Sequence, residues 1–208
     1  MNLKQNIVAQ FKQPHGFMGY LAGVIMANRP SNIERNEWTL DLLALEPTDR
    51  LLEIGFGPGI AIEKASRIIT NGLIVGVDHS ETMLQQAKKL NAASMQRGVV
   101  NLQLGSVDTL PVFDRPFDKI YSANVVQFWD DPVAVFKKLR TLLVPSGVIA
   151  TTYMPRLSRA RDADAYVKAK EIMEQLEQAG FSSIKVEERK TKPVSTISVL
   201  AVNDVAQH

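Results

Sequence analysis

The sequence contains no cysteine among its 208 residues, which excludes disulfide bonds, thiolate metal sites and cysteine nucleophiles. It also lacks an uncharged apolar run of the ~18 residues that a membrane-spanning helix needs; residues 21–27 are too short. An excess of one charge is missing as well, because the net charge is only +2, which does not favour nucleic-acid binding by charge alone. The first 13 residues lack the apolar core of a signal peptide. We therefore expect a cytoplasmic protein without a metal site.

Apolar strand-like segments alternate with amphipathic helical segments along most of the chain, and hydrophobic residues make up 45% of it, enough for the core of one domain. The predicted strands are residues 51–54, 73–78, 99–104, 117–122, 148–153, 184–188 and 196–202. The last two are expected to form an antiparallel pair. This order predicts an α/β fold with a doubly wound, Rossmann-like sheet of seven mostly parallel strands, an antiparallel C-terminal strand and helices on both faces.

The sequence makes specific predictions about three helical features. Residues 32–45 are predicted to form a helix whose buried face comprises Ile33, Trp38, Leu42 and Leu45. Gly72 is expected to follow the first crossover helix in the left-handed conformation. Ser80 and Asp131 are expected to cap helices, the second followed by a proline in the first turn.

Residues 1–33 are predicted to form an N-terminal arm ahead of a single domain of residues 34–208. Residues 14–26 mix three glycines with large apolar side chains, and glycine in a helix costs about 0.5–1 kcal/mol relative to alanine. Two interpretations remain: a mobile lid that closes over a ligand, or an arm that packs its apolar side chains on the domain.

Residues 51–60 combine a short buried strand, a glycine-rich turn and the start of a helix, the arrangement of a nucleotide-binding loop. The glycines stand at alternate positions, Gly55, Gly57 and Gly59. Dinucleotide enzymes would need a glycine where Ile60 stands, and Pro58 removes a backbone donor from the loop. No Lys-Ser or Lys-Thr pair follows, so a triphosphate-binding loop is excluded. The loop favours an adenosine ligand without phosphates.

Asp78 stands at the end of the second predicted strand, about twenty residues past the glycine turn, where an acidic side chain can accept both hydroxyls of a ribose. The alternative is a helix-capping aspartate, although Ser80 already offers a cap. Because ligands of such sheets bind outside the carboxyl ends of the strands, we expect the functional residues in the segments that follow them.

Several of these segments, taken together, resemble the motifs of class I S-adenosylmethionine-dependent methyltransferases. Glu53–Gly59 resembles the first motif, Val75–Ser80 is similar to the second, and Gly105–Pro111 resembles the adenine-contacting loop. Phe117-Asp118 together with Asn124–Trp129, and then Leu142–Gly147, are similar to the family's fourth and fifth strand signatures. The resemblance covers residues 51–202 and implies S-adenosyl-L-methionine as cofactor, with S-adenosyl-L-homocysteine as product.

The resemblance also implies roles for individual residues at the methionine and ribose parts of the cofactor. The three glycines would let its methionine part cross the loop, and Glu53 would hydrogen-bond its amino group, directly or through water. Asp78 would hold the ribose. Asn124 would place its carbonyl near the methionine part.

At the adenine end, His79 and Met83 would pack beside the ring, and Val107 would donate a backbone hydrogen bond to it. Many members of the family have an aspartate where this chain has Ser106. Either Ser106 or Asp108 must then accept from the adenine amine, and the sequence does not choose between them.

The methyl acceptor is less well indicated than the cofactor. Candidates for a base or acceptor-aligning group lie in the arm or after the fourth and fifth strands: His15, Tyr20, Gln127, Trp129, Asp130 and Tyr153. Phe128 and Trp129 either line an apolar acceptor pocket or belong to the core. The short segment between the fifth strand and the last helix favours a small molecule or a peptide end over a large polymer.

The leading hypothesis is therefore a methyltransferase that acts on a small-molecule or peptide-end acceptor. A second hypothesis is a catalytically idle domain that binds an adenosine cofactor or serves as a scaffold, because the sequence identifies no unmistakable catalytic base. A nicotinamide oxidoreductase is disfavoured by the glycine spacing. The sequence does not indicate whether the protein is a monomer or an oligomer.

Overall fold

The structure is a computed structural model that describes residues 30–155 and 160–204, without the side chains of residues 30–32. Its strands are β1 Arg50–Ile54, β2 Leu73–Asp78, β3 Val100–Leu104, β4 Phe117–Ala123, β5 Leu143–Tyr153, β6 Ser182–Arg189 and β7 Thr196–Val202. Its helices are α1 Pro30–Leu43, α2 Ile60–Ile68, α3 Glu81–Leu90, α4 Ala92–Gln96, α5 Pro132–Thr141 and α6 Asp162–Gln178. Residues 107–109 and 126–128 form short 3₁₀ turns.

The seven strands form one sheet in the order β3-β2-β1-β4-β5-β7-β6. All neighbours from β3 to β5 are parallel, whereas β7 runs antiparallel to both β5 and β6. The predicted fold class is confirmed. The chain works outward from β1 to β3 and then returns to β4, so the topological switch point lies between β1 and β4, where ligands of such sheets bind.

Helices cover both faces of the sheet, and each face has its own hydrophobic cluster. Every residue of β1 is buried, as expected for a parallel strand that is covered on both sides. Leu52 and Ile54 belong to the cluster that includes residues of α5 and α6. Leu51 belongs to the opposite cluster, with residues of α1, α2 and α3. The alternation along β1 therefore turns Glu53 towards the face that α1 covers.

One local expectation was wrong, and two further local features are irregular. The helical segment after β2 extends to Gln96 but is interrupted at Asn91, whose side chain donates to the carbonyl oxygens of Gly59 and Ala87. Residues 145–147 lie within β5, which begins earlier than the predicted strand 148–153 and is irregular beside β4. Gly72 is not left-handed; a Cβ there would lie 2.0 Å from the carbonyl oxygen of Asp49, so close approach requires the glycine.

The buried face of α1 also differs from the expected one. Ile33, Trp38, Leu42 and Leu45 are only partly buried. Among the side chains of this helix that the structure describes, the buried ones are Arg35, Asn36, Thr39, Leu40 and Leu43. Polar residues thus make up most of the face that α1 turns towards the sheet.

The division into an arm of residues 1–33 and a domain of residues 34–208 stays a prediction. Helix α1 begins at Pro30, and most of the arm, including His15 and Tyr20, lies outside the described residues. Within residues 30–155 and 160–204, the helices are all too short or too polar to cross a membrane.

Candidate functional site

A cavity of about 290 Å³ lies at the carboxyl ends of β1, β2 and β3. Its lining residues come from four segments: the end of β1 and its loop, residues 77–79 at the end of β2, residues 105–108 after β3, and residues 125–130 after β4. This is the edge where the sequence predicts the ligand.

The glycine loop adopts a conformation that side chains disfavour. The backbone angle φ is positive at all three glycines, 74° at Gly55, 53° at Gly57 and 82° at Gly59. A Cβ on Gly55 would lie 2.5 Å from a methyl carbon of Val125, whereas one on Gly57 would meet no atom within 4 Å. The loop therefore packs tightly against the segment after β4 and leaves open space above Gly57, where a ligand can lie against bare backbone.

Asp78 lines this cavity with only 6% of its surface exposed. Its Oδ2 accepts from the Gly57 N–H at 2.8 Å, and its Oδ1 accepts from the Ser80 N–H at 2.9 Å. Burial raises the pKa of Asp78, and the two backbone donors oppose that rise. Asp78 thus ties the glycine loop to the end of β2, while Ser80 caps α3 as predicted, accepting from the Met83 N–H.

The predicted adenine neighbours differ in their placement. His79 lines the cavity, with its Nδ1 at 3.8 Å from Oδ1 of Asp78. Met83 is buried in α3 and is not among the lining residues. Its contact with the ring stays a prediction.

Glu53 directly precedes Ile54, a lining residue of the cavity, in the sequence. Its side chain is buried, with 4% of its surface exposed. Its Oε2 has no hydrogen-bond partner within the described parts of the chain. Burial, and then the charge of Asp78, raise the pKa of Glu53 to about 8. Glu53 is not itself among the lining residues, but it stands two positions before Gly55, the first glycine of the loop. Because a buried carboxyl oxygen without a donor is costly, Oε2 is a position where a ligand at the loop could supply the donor.

Sequence reasoning missed the polar neighbours of Glu53. Tyr121, its register partner on β4, donates from its hydroxyl to Oδ1 of Asn36 on α1. The buried guanidinium of Arg35 also acts electrostatically on Tyr121. We call Arg35, Asn36, Glu53 and Tyr121 the α1 polar cluster. The only sequence signal for this cluster is the polar character of residues 35, 36 and 39. The apolar pattern of α1 instead predicts a different buried face.

Hydrogen bonds from its own side chains and from a lysine of α5 hold the turn after β3 in place. Oγ of Ser106 donates to Oδ2 of Asp108 at 2.9 Å and accepts from the Asp108 N–H at 3.2 Å. Nζ of Lys138 on α5 donates to the carbonyl oxygens of Val107 and Asp108, at 3.2 and 2.8 Å. Ser106, Val107 and Asp108 all line the cavity. Which of the serine and the aspartate meets adenine stays open, because the two are bonded to each other.

Asn124 is held in the left-handed region, with φ of 54°. Its side chain exchanges two hydrogen bonds with the main chain of Met154, and its own carbonyl oxygen accepts from Nε2 of Gln127 at 2.7 Å. Neither Asn124 nor Gln127 is among the cavity-lining residues. The two predicted positions therefore brace the segment after β4 in this structure.

The aromatic pair after β4 lines the cavity, and Trp129 also packs on the core; whether the pair contacts an acceptor stays a prediction. Phe128 lines the cavity with 44% of its surface exposed. Trp129 lines it too, and packs edge-to-face on Phe136 of α5 with ring centroids 5.3 Å apart. Tyr153 is not a lining residue; burial raises its pKa, and charged side chains of α6 act on it.

Comparisons with known proteins agree with this geometry. Residues 52–151 match a family model described as a methyltransferase domain. The chain is 30% identical over 181 residues to the uncharacterized methyltransferase YdaC of Bacillus subtilis, covering 87% of this chain and 97% of that protein. It is 31% identical over 102 residues to the ubiquinone/menaquinone biosynthesis C-methyltransferase UbiE of Geotalea daltonii, covering 49% of this chain and 43% of that protein.

Solved structures support the fold at lower identity. A SAM-dependent methyltransferase from Aquifex aeolicus superposes with a TM-score of 0.71 at 19% identity, over 87% of this chain and 97% of that one. The [4+2]-cyclase SpnF superposes with a TM-score of 0.68 at 16% identity, over 84% of this chain and 82% of that one. The near full-length match to the Bacillus methyltransferase, together with the strand order and the glycine loop, places this chain in the class I methyltransferases that use S-adenosyl-L-methionine.

Proposed function

We propose that this protein transfers a methyl group from S-adenosyl-L-methionine to a small molecule or to the end of a peptide. The observation that carries the proposal is the buried Oε2 of Glu53, which lacks a donor among the described residues and belongs to a side chain two positions before the glycine loop. An ammonium group at that position would supply the missing donor and a compensating charge.

The residues around the cavity fit such a cofactor in three further respects. The space above Gly57 accepts an extended ligand next to the backbone. Asp78 keeps lone pairs for ribose hydroxyls after accepting from Gly57 and Ser80, because an ionised carboxylate has about four acceptor positions. The turn at Ser106–Asp108 presents polar groups at the same cavity. We assign Glu53 to the amino group, Asp78 to the ribose and this turn to adenine.

Methyl transfer from such a cofactor requires few catalytic groups from the protein. The bound cofactor supplies a methyl group on a sulfonium, and the chain must align an acceptor and, where needed, accept its proton. Of the candidates that lie in the described parts of the chain, Trp129 and Asp130 line the cavity, and of these two Asp130 can act as a base. We propose that Asp130 accepts the proton and that Phe128 and Trp129 contact the acceptor.

A small acceptor is supported by the connection between β5 and α6. Only residues 154–161 separate these two elements, which leaves little chain there for a separate substrate-binding domain. Because the UbiE relative is a quinone-biosynthesis C-methyltransferase, aromatic hydroquinones belong among the acceptors to be tested.

An idle cofactor-binding domain is the second candidate. Gln127 and Tyr153, two of the residues considered for acceptor chemistry, are absent from the cavity lining. The fold is also shared by a protein described as a [4+2]-cyclase. Methyl turnover on any small acceptor would dismiss this candidate.

Calorimetry with S-adenosylmethionine, S-adenosylhomocysteine and NAD provides the first test. We expect binding of the first two and none of NAD; tight NAD binding without a response to the methyl donor would overturn the proposal. A transfer assay with labelled donor should then compare phenols, hydroquinones, amines and short peptides with RNA and DNA. Transfer to nucleic acid alone would refute a small acceptor, and Asp130→Asn should slow transfer without weakening cofactor binding.

A further inference from the structure

Helix α5 contacts both walls of the cavity. At its start, Asp131 caps the helix with an acceptor for the Ala134 N–H, directly after the wall segment of residues 125–130. Phe136 on the same helix packs edge-to-face on Trp129 of that wall. In its last turn, Lys138 bonds to the opposite wall, formed by residues 105–108. One helix of 10 residues therefore fixes the two walls relative to each other.

The hydrogen bonds of Lys138 help to fix the backbone of the turn after β3. The peptide group between Val107 and Asp108 is held by Lys138 at its carbonyl and by Oγ of Ser106 at its N–H. The next peptide group, between Asp108 and Thr109, is held by Lys138 at its carbonyl and by the Ser106 carbonyl at its N–H. Both peptide planes that flank Asp108 are thus fixed at both ends.

A lysine suits this task because its ammonium presents three donors and its bonds to neutral carbonyls are charge-assisted. Lys138 is half-buried, whereas its neighbour Lys137 is exposed. Val107 belongs to the same hydrophobic cluster as Phe136 and Leu139 of α5, so apolar packing and the lysine bonds together hold the turn to the helix.

We propose that Lys138 is a positioning residue that determines specificity for the adenine end of the cofactor. It acts through the carbonyl oxygens of Val107 and Asp108, which set the orientation of the groups that would meet the edge of the base. This inference rests on the proposed function, because it assigns the turn at residues 106–108 to adenine. Lys138 itself need not touch the ligand.

The test compares Lys138→Met, which keeps an apolar stem but removes the ammonium, with the matched control Lys137→Met. Affinities are measured by calorimetry for S-adenosylhomocysteine and for its analogue in which the 6-amino group of the base is replaced by oxygen. We expect wild type and Lys137→Met to prefer the 6-amino ligand. Lys138→Met should lose about tenfold in affinity for that ligand, the equivalent of a lost charge-assisted bond, and should lose most of the preference. Lys138→Arg, which keeps a cation with several donors, should retain it.

The ratio of the two affinities separates positioning from a merely structural role. If Lys138 only stabilises the fold, the melting temperature falls and both affinities fall by the same factor, so an unchanged ratio overturns the inference. A wild-type protein without preference between the two bases also overturns it. Failure of wild type to bind S-adenosylhomocysteine at all would refute the proposed function, whereas normal binding by Lys138→Met refutes the inference alone.

Discussion

Replacing the buried Glu53 by glutamine should stabilise the ligand-free protein, and the stabilisation should grow with pH. Glutamine has nearly the shape of the protonated glutamic acid but cannot ionise. In the folded protein the pKa of Glu53 is raised from its ordinary 4.5 to about 8, first by burial and then by the charge of Asp78. Wild type must therefore either keep a proton on this side chain or bury a charge.

The sign follows from proton counting. Below pH 4.5 both the folded and the unfolded chain hold the proton, and Glu53 contributes no pH dependence. Between pH 4.5 and about 8 the unfolded chain has lost the proton while the folded chain keeps it, so rising pH favours unfolding. Each pH unit is equivalent to about 1.4 kcal/mol, so the full interval between the two pKa values corresponds to about 5 kcal/mol.

Urea unfolding at pH 5, 6, 7 and 8 without cofactor measures this difference. The free energy of unfolding of Glu53→Gln minus that of wild type should increase by about 3–4 kcal/mol across this range. Glu81→Gln provides the control, because Glu81 is an exposed carboxylate in the first turn of α3. Its difference from wild type should stay nearly constant. Parallel curves for Glu53→Gln and wild type would refute the burial of an unpaired carboxyl at this position.

The same carboxyl links cofactor binding to proton release. At pH 7 the ligand-free side chain holds its proton, since its pKa is about 8, and an ammonium group placed beside it favours the ionised form. Binding of S-adenosylhomocysteine should then release close to one proton in wild type and none in Glu53→Gln. Calorimetry in buffers of different ionisation enthalpy measures this number; equal release by both proteins would remove Glu53 from the cofactor site.

Three further changes test the loop and its surroundings. Asp78→Ala should weaken S-adenosylhomocysteine binding by about 1–3 kcal/mol, the cost of a lost buried acceptor, and an unchanged calorimetric affinity would exclude Asp78 from the site. Gly55→Ala should lower the melting temperature more than Gly57→Ala, because both positions have positive φ but only the first places a Cβ 2.5 Å from Val125; equal losses would contradict the steric argument. Tyr121→Phe should lower the free energy of unfolding by about 1–3 kcal/mol, because its buried amide partner on α1 loses a donor, and chemical denaturation showing no change would contradict that bond.

Most of the sheet was predictable from the sequence because local patterns determine it. A strand buried on both faces is apolar nearly throughout, as Leu73–Asp78 is. Helix starts were equally accessible, since caps such as Ser80 and Asp131 bond to N–H groups three residues away. Alternating strands and helices then leave few topologies, because parallel connections are right-handed and short.

The interface of α1 was not predictable, because its buried side chains are polar and their partners are distant in sequence. Thr39 bonds to Thr152 and Asn36 bonds to Tyr121, across 113 and 85 positions of the chain. Hydrophobic periodicity chooses the most apolar face, and it therefore indicated Trp38 and its neighbours. The predicted left-handed conformation of Gly72 was wrong for a related reason. The carbonyl oxygen that requires a glycine there belongs to Asp49, in another segment of the chain.

The structural bonds of Asp78 are compatible with the ribose contact proposed for it. By accepting from Gly57, the carboxylate holds the loop in its glycine-specific conformation before any ligand arrives, which removes part of the ordering cost of binding. The arrangement also places Asp78 close enough to Glu53 to raise the pKa of that carboxyl.

Two neighbouring buried acidic groups create an electrostatic preference that glycine spacing alone does not show. A ligand with a sulfonium and an ammonium would compensate the negative charge of Asp78 and favour the ionised form of Glu53, whereas a pyrophosphate would add further negative charge to the same buried region. The departure from the dinucleotide pattern at Pro58 and Ile60 and the pair of buried carboxyl groups are thus separate physical reasons that favour the same cationic ligand.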